Sequence, residues 1–202
     1  MNAYDIDAVA FEPTPEITTG RVVLKTIAKQ DVPVMAKLAN NKAVAENLGT
    51  MPYPYSEQDG YDWLNRPNGL RVDGAQFGIF LNIPEPVFIG MISYGRAKDE
   101  ADPSIGYWIG EPYWNQGYAG EAVMALLDYA FAERGENRIL GMCRITNTAS
   151  RRVMEKCGFE YIGYGKSYFL LAGEDMPVDC FALSRPKFLG LQIKRNGLRG
   201  AR

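Results

Sequence analysis

Ten consecutive residues, Tyr113-Trp114-Asn115-Gln116-Gly117-Tyr118-Ala119-Gly120-Glu121-Ala122, carry the clearest chemical signal in this chain. They follow an apolar run, Ile105 to Ile109, that reads as a strand, and they open a helix whose first residues are small. At a helix start the first backbone N–H groups lack partners and the helix dipole is positive, so the main chain can hold a phosphate. The same residues also fit a helix that merely begins with small side chains against a strand. The turn is not Gly-x-Gly-x-x-Gly, because Trp114 and Asn115 fill the upstream positions, and it lacks the Gly-Lys-Ser/Thr of a P-loop.

A second segment, Asn147-Thr148-Ala149-Ser150-Arg151-Arg152-Val153-Met154-Glu155-Lys156-Cys157-Gly158-Phe159, begins on a capping residue and ends on Gly-Phe. It reads as a short helix after a strand, polar and basic on one side, with Ala149, Val153 and Cys157 on the other. The chain has no histidine. That excludes Ser-His-Asp and Cys-His catalysis and any His-bearing zinc site, leaving carboxylates, Tyr, Lys, Ser, Cys or water to move protons. Cys143, Cys157 and Cys180 show no metal or redox spacing and lie in apolar surroundings. They read as buried free thiols of a reducing cytoplasm.

Periodicity and caps give the elements that carry these residues. Residues 1–18 read as an extended lead-in, 19–188 as one domain and 189–202 as a basic, flexible tail. Strands are expected over Arg21–Thr26, Gln76–Leu81, Val87–Tyr94, Ser104–Ile109, Arg138–Ile145, Phe159–Leu171 and Val178–Ser184. Helices are expected from Asp31 with Pro33, over Ala43–Leu48, and from Ser56 with Asp59 as a capping-box partner. Another runs from Ala119 to Phe131 and stops at Gly135, and the last spans Thr148–Lys156. Net charge is close to zero, with 22 basic and 24 acidic residues, so bulk electrostatics suggest neither nucleic acid nor a membrane as partner. The tail bearing Lys194, Arg195, Arg199 and Arg202 fits an RNA-touching segment or, better, a frayed terminus.

Taken together, these segments resemble the GNAT superfamily of acyl-CoA-dependent N-acetyltransferases, and within it the RimJ/RimL-type branch that acetylates protein N-termini. The resemblance runs from about Thr19 to Pro186. It rests on Thr19 to Leu24, on Asn40 to Leu48 with Met51-Pro52-Tyr53-Pro54-Tyr55, on Ile105 to Gly110 with the turn after it, and on Asn147 to Phe159. It implies an α/β fold with a mostly antiparallel mixed sheet, helices on both faces, and a splay between strands 104–109 and 138–145.

It also implies a coenzyme A site. Backbone N–H groups of Gln116, Gly117, Tyr118, Ala119 and Gly120 would cradle the pyrophosphate, and the backbone of Tyr107, Trp108 and Ile109 would pair with the pantetheine arm. A backbone N–H there would polarise the thioester carbonyl. Asn147 would hydrogen-bond the pantetheine, and Arg152, with Arg151 or Lys156, would meet the adenosine phosphates, although a solvated helix face fits each of them as well. The tyrosine that many relatives use as general acid is replaced by Met154, and Ser150 corresponds to the serine of RimL-like enzymes. No base is evident. Asp102 is the nearest acid to the thioester strand, and equally a solvated loop carboxylate. Tyr53, Tyr55 and Trp63 are either acceptor-site walls or ordinary packing under a proline-rich loop.

The reaction implied is direct attack of a primary amine on acetyl-CoA, without a metal and without a covalent enzyme intermediate. The expected acceptor is a protein or peptide N-terminal α-amine. A small-molecule amine and a non-catalytic acyl-CoA sensor are the alternatives, and a homodimer is left open.

Overall fold

The computed structural model describes residues 14–65, 71–97 and 100–199. Most of the expected lead-in, residues 1–13, and the last three residues lie outside them. Eight strands form one sheet in the order β1-β2-β3-β4-β5-β6-β8-β7. These are β1 (Ile17–Thr18), β2 (Val22–Lys25), β3 (Arg71–Leu81), β4 (Phe88–Ala97), β5 (Ser104–Ile109), β6 (Arg138–Arg144), β7 (Glu160–Phe169) and β8 (Glu174–Ser184). Every neighbouring pair is antiparallel except β5 and β6, which run parallel and pair only at Ser104↔Leu140 and Ile105↔Gly141. Beyond Ile105 the two strands part. The central splay is therefore present, at the strand pair expected from the sequence.

Helix α4 (Tyr118–Asp128) crosses from β5 to β6, and α5 (Thr148–Cys157) follows β6. Their apolar faces, with Val123, Leu126 and Leu127 of α4 and Met154 and Cys157 of α5, pack on one side of the sheet against Phe77, Ile105 and Phe181. On the other side lie α1 (Val32–Ala39) and α3 (Glu57–Leu64), where Val32 and Met35 meet Phe80, Phe88 and Trp108. Because strand side chains alternate, β5 sends Ile105, Tyr107 and Ile109 into the first layer and Trp108 into the second.

Local chemistry explains most element ends. Ser56 caps α3 in a reciprocal box: the Asp59 N–H donates to Ser56 Oγ at 3.2 Å and the Ser56 N–H to Asp59 Oδ2 at 2.8 Å. Asn147 caps α5 by accepting from the Ser150 N–H at 3.0 Å, and Gly158, at φ 96°, closes it in the left-handed conformation. The helix expected over Ala43–Leu48 is shorter: α2 spans Lys42–Ala45, with Asn41 capping it one residue earlier. After Asp128, α4 passes into a π-helical turn, Tyr129–Glu133.

The C-terminal region corrects the sequence reading. In place of a tail beginning at 189, helix α6 runs over Arg185–Arg199. Phe188 anchors it against Phe131, ring centroids 5.0 Å apart, and Lys187 pairs with Glu160 at 2.5 Å. Leu191 lies against Gly158. Local hydropathy is too diluted by Gly190 and the basic residues to announce a helix whose apolar side is held by long-range contacts. Cys143 and Cys157 are buried free thiols, whereas Cys180 is only half-buried.

Candidate active site

The turn before α4 is held open by two left-handed residues, Asn115 at φ 60° and Gly117 at φ 83°. Unlike α3 and α5, α4 has no side-chain cap, so the N–H groups of its first turn are not used by a capping side chain. Glu121 N–H donates to Gly117 O at 3.2 Å, leaving Tyr118, Ala119 and Gly120 ahead of the helical ladder. A Cβ at Gly120 would meet nothing within 4 Å, so the approach there is open.

Arg21, at the entrance to β2, clamps this turn from the side. Its Nη1 donates to Gln116 O at 2.9 Å, its Nε pairs with Glu121 Oε2 at 2.7 Å, and its guanidinium lies 5.2 Å from the Tyr118 ring centroid. Glu121 also accepts from Thr19 Oγ1 at 2.6 Å and from the Arg21 N–H at 2.8 Å. Partial burial pushes the Glu121 carboxyl pKa up, but these donors and the Arg21 charge outweigh it and hold the pKa below the usual value. An anionic side chain in the first turn is thus neutralised by Arg21, and the turn keeps its positive potential.

The splay exposes a second set of backbone groups. Gly110 N–H bonds to Ile89 O and Leu140 N–H to Pro103 O, which fixes the alternation along β5. Gly106 and Trp108 turn their peptide groups toward β4, while Ile105, Tyr107 and Ile109 turn theirs toward β6. Past Ile105 the partner strand has gone, so the N–H and C=O of Tyr107 and the N–H of Ile109 face the gap. Ile109 O is taken by the Trp114 indole N–H at 2.6 Å. Of the three residues expected to offer backbone here, Trp108 is therefore corrected: its peptide groups belong to the β4 ladder.

Helix α5 starts over the same gap. Ser150 Oγ is 2.8 Å from Tyr107 Oη, and Cys143 of β6 comes up beside Ser150 from the other strand. Burial pushes the Cys143 thiol up to about 11 and also raises the Tyr107 phenol, so both stay protonated at neutral pH. Arg151 ties the start of α5 to the sheet through Asp179 of β8, Nη1 to Oδ2 at 2.9 Å, with its guanidinium over Tyr161 and Phe181. Arg152 is exposed on the outer side of the helix.

Residues 21–160 match the family model described as an acetyltransferase (GNAT) domain. The chain belongs to the GNAT acetyltransferase family. The ribosomal-protein-serine acetyltransferase of Escherichia coli is 34% identical over 140 residues, covering 67% of this chain and 77% of that protein. A GNAT-family acetyltransferase structure from Bacillus anthracis superposes with a TM-score of 0.73 at 27% identity, over 85% of this chain and 99% of the other. RimL, a ribosomal L7/L12 α-N-protein acetyltransferase solved in complex with coenzyme A, shares the fold with a TM-score of 0.69. It is 22% identical, with 84% of this chain and 98% of that one covered.

In this GNAT acetyltransferase the remaining sequence-derived residues are not all brought to the gap. Asp102 pairs with Arg138 at 3.2 Å, at the end of β5 where the sheet is closed. Five residue steps lie between it and Tyr107, roughly 16 Å along an extended chain, so Asp102 is not placed to act on a group bound there. Tyr55 is buried between Ala36, Ala39 and Trp108, its N–H bonded to Asn40 Oδ1 at 3.1 Å. Trp63 packs beside the α1–α3 cluster, and Tyr53 alone of the three aromatics is substantially exposed, at 41%.

Sequence reasoning missed Arg21, the Tyr107 hydroxyl and Asp179. Locally, Thr19-Gly20-Arg21 reads only as the start of a strand.

Proposed function

We propose that this GNAT acetyltransferase uses acetyl-CoA to acetylate a primary amine, with a protein or peptide N-terminal α-amine as the preferred acceptor. The observation that carries the reading is the coincidence, at one end of β5, of an uncapped helix start and an unpaired strand edge. The first suits a pyrophosphate and the second an amide-bearing pantetheine arm. The first-turn N–H groups of Tyr118, Ala119 and Gly120 receive the pyrophosphate, with Gln116 and Gly117 completing the turn. Tyr107 C=O and N–H and Ile109 N–H take the amides of the arm and the thioester oxygen, so that negative charge building on that oxygen meets a fixed N–H. Asn147 holds the start of α5 in place over the arm, Ser150 donates to the departing sulfur, and Arg152 is available to an adenosine phosphate.

The acceptor assignment follows from acid–base arithmetic. Asp102 and Asp179 are both engaged by arginines, and neither offers a free base at the gap. A lysine side chain near pKa ~10.4 is roughly 0.1% neutral at pH 7.4, whereas an α-amine near ~7.8 is about a quarter neutral. A site in which neither of these carboxylates, among the described residues, is free to act as a strong base serves the second far more readily, with water taking the proton. Tyr53, the exposed one of the three predicted aromatics, is the one open to meet a peptide. The resemblance to the Escherichia coli enzyme supports the same class. Three free thiols fit a reducing cytoplasm.

The test compares free-thiol release from acetyl-CoA with a peptide bearing a free N-terminus, its N-blocked lysine-containing counterpart, and polyamine or aminoglycoside acceptors. The free-N-terminus peptide is expected to react fastest. Faster turnover of the blocked peptide or of a small polyamine would overturn the acceptor assignment.

A further inference from the structure

Ser150 stands over the gap between β5 and β6, and the phenol of Tyr107 reaches it from below. Tyr107 Oη is 2.8 Å from Ser150 Oγ and 3.3 Å from the Ser150 carbonyl oxygen. A phenol has one proton to give. The carbonyl of a residue this early in an α-helix already accepts from the N–H four residues on, and its contact with Tyr107 is the longer one. Donation to Ser150 Oγ is therefore the better bond. It fills a lone pair of the serine oxygen and leaves the serine proton to Cys143 Sγ beside it or to a group bound in the gap.

We propose that Tyr107 is a positioning residue for acetyl transfer: its hydroxyl donates to Ser150 Oγ and turns the serine proton toward the thioester sulfur lying along the β5 edge. The proposal rests on the coenzyme reading above. As the amine nitrogen bonds to the acetyl carbon, the carbon–sulfur bond breaks and its electron pair goes to sulfur. The extra proton of the amine leaves to water. Ser150 keeps its proton and shares it with the thiolate, which is then protonated by solvent. Tyr107 also keeps its proton, because a tyrosinate buried at this position is unfavourable. Met154, where many relatives carry a tyrosine, faces the sheet against Gly141 and has no proton to offer. The phenol that reaches the gap comes from the strand rather than the helix.

The experiment uses Tyr107→Phe, which keeps the ring and its packing and removes one oxygen, together with Ser150→Ala and the double variant. The thiol of bound coenzyme A is titrated by its thiolate absorbance, taken as the difference from the coenzyme-free protein. In the wild type Ser150 lowers that pKa, and in Tyr107→Phe it should rise by about half to one pH unit. With an accepted amine, kcat of Tyr107→Phe should fall about 5–10-fold with KM for acetyl-CoA within about twofold. The double variant should be no slower than Ser150→Ala, because the two groups act as one unit. An unmoved titration in either single variant, losses that multiply in the double variant, or a raised KM with unchanged kcat would overturn the proposal. If coenzyme A does not bind the wild type, the coenzyme reading itself fails. If it binds but no amine is acetylated, the titration alone decides the role of Tyr107.

Discussion

Arg21 offers the most direct check on how the proposed coenzyme turn is built. Replacing it with Met removes the Nε–Glu121 pair at 2.7 Å, the Nη1 bond to Gln116 O at 2.9 Å and the guanidinium over Tyr118, while the backbone bond from residue 21 to Glu121 stays. The Arg21 side chain is 54% exposed, so the ion pair contributes at the solvent-screened end of the range, about 0.5 kcal/mol. The charged donor to Gln116 O adds about 1 kcal/mol after the same discount. The variant also leaves the Glu121 carboxylate without its counter-charge in the first turn of α4. If most of this is felt where the turn must present its N–H groups, the affinity for coenzyme A falls by about 1–2 kcal/mol, roughly 5–30-fold. Calorimetry with coenzyme A measures it directly. Acetyl-pantetheine, which has no pyrophosphate, is the control, and its use as a slow substrate should change by less than about twofold. Lys at 21 keeps the charge but cannot reach both partners with one fork, so it should fall in between. Coenzyme A affinity within about twofold of wild type in Arg21→Met would remove Arg21 from the coenzyme site, as would an equal loss with acetyl-pantetheine.

Two other outcomes follow from the same turn. Gly117→Ala places a Cβ on a residue at φ 83°, 3.3 Å from the Arg21 guanidinium. Left-handed strain of about 1–2 kcal/mol should lower Tm by several degrees and weaken coenzyme A binding, whereas Gly117→Asn, which tolerates this conformation better, should cost less. Thermal melts of the two variants side by side decide it. Glu121 has a folded-state pKa below its ordinary value of 4.5, so its stabilising contribution is complete above that pH and is lost as pH falls through the folded pKa. Melting temperatures measured downward from pH 6 should therefore drop more steeply for the wild type than for Glu121→Gln, and parallel curves would remove Glu121 from the acid sensitivity of the fold.

Much of the architecture was legible locally. The capping box of Ser56 and Asp59, the cap at Asn147 and the stop at Gly158 are short-range hydrogen bonds or conformational preferences. The apolar period of α4 and the six residues of β5 are equally local. Helix α6 was not legible, because Phe188 and Leu191 gain their meaning only against Phe131 and Gly158.

For the site, composition and spacing establish which residue types are available. They supply a small-residue helix start, a serine in the helix after β6, and no histidine at all. How they combine depends on the folded chain. Arg21 reaches the turn across 95 positions of chain. Hydrogen-bond parity along β5 gives Tyr107 and Ile109 to the gap and takes Trp108 away. Asp102, close to that strand in sequence, lies at its closed end. The reason is geometric: caps and periods are written within a few residues, whereas strand register, the point where two strands part and the partner of a long side chain depend on elements far away in the chain.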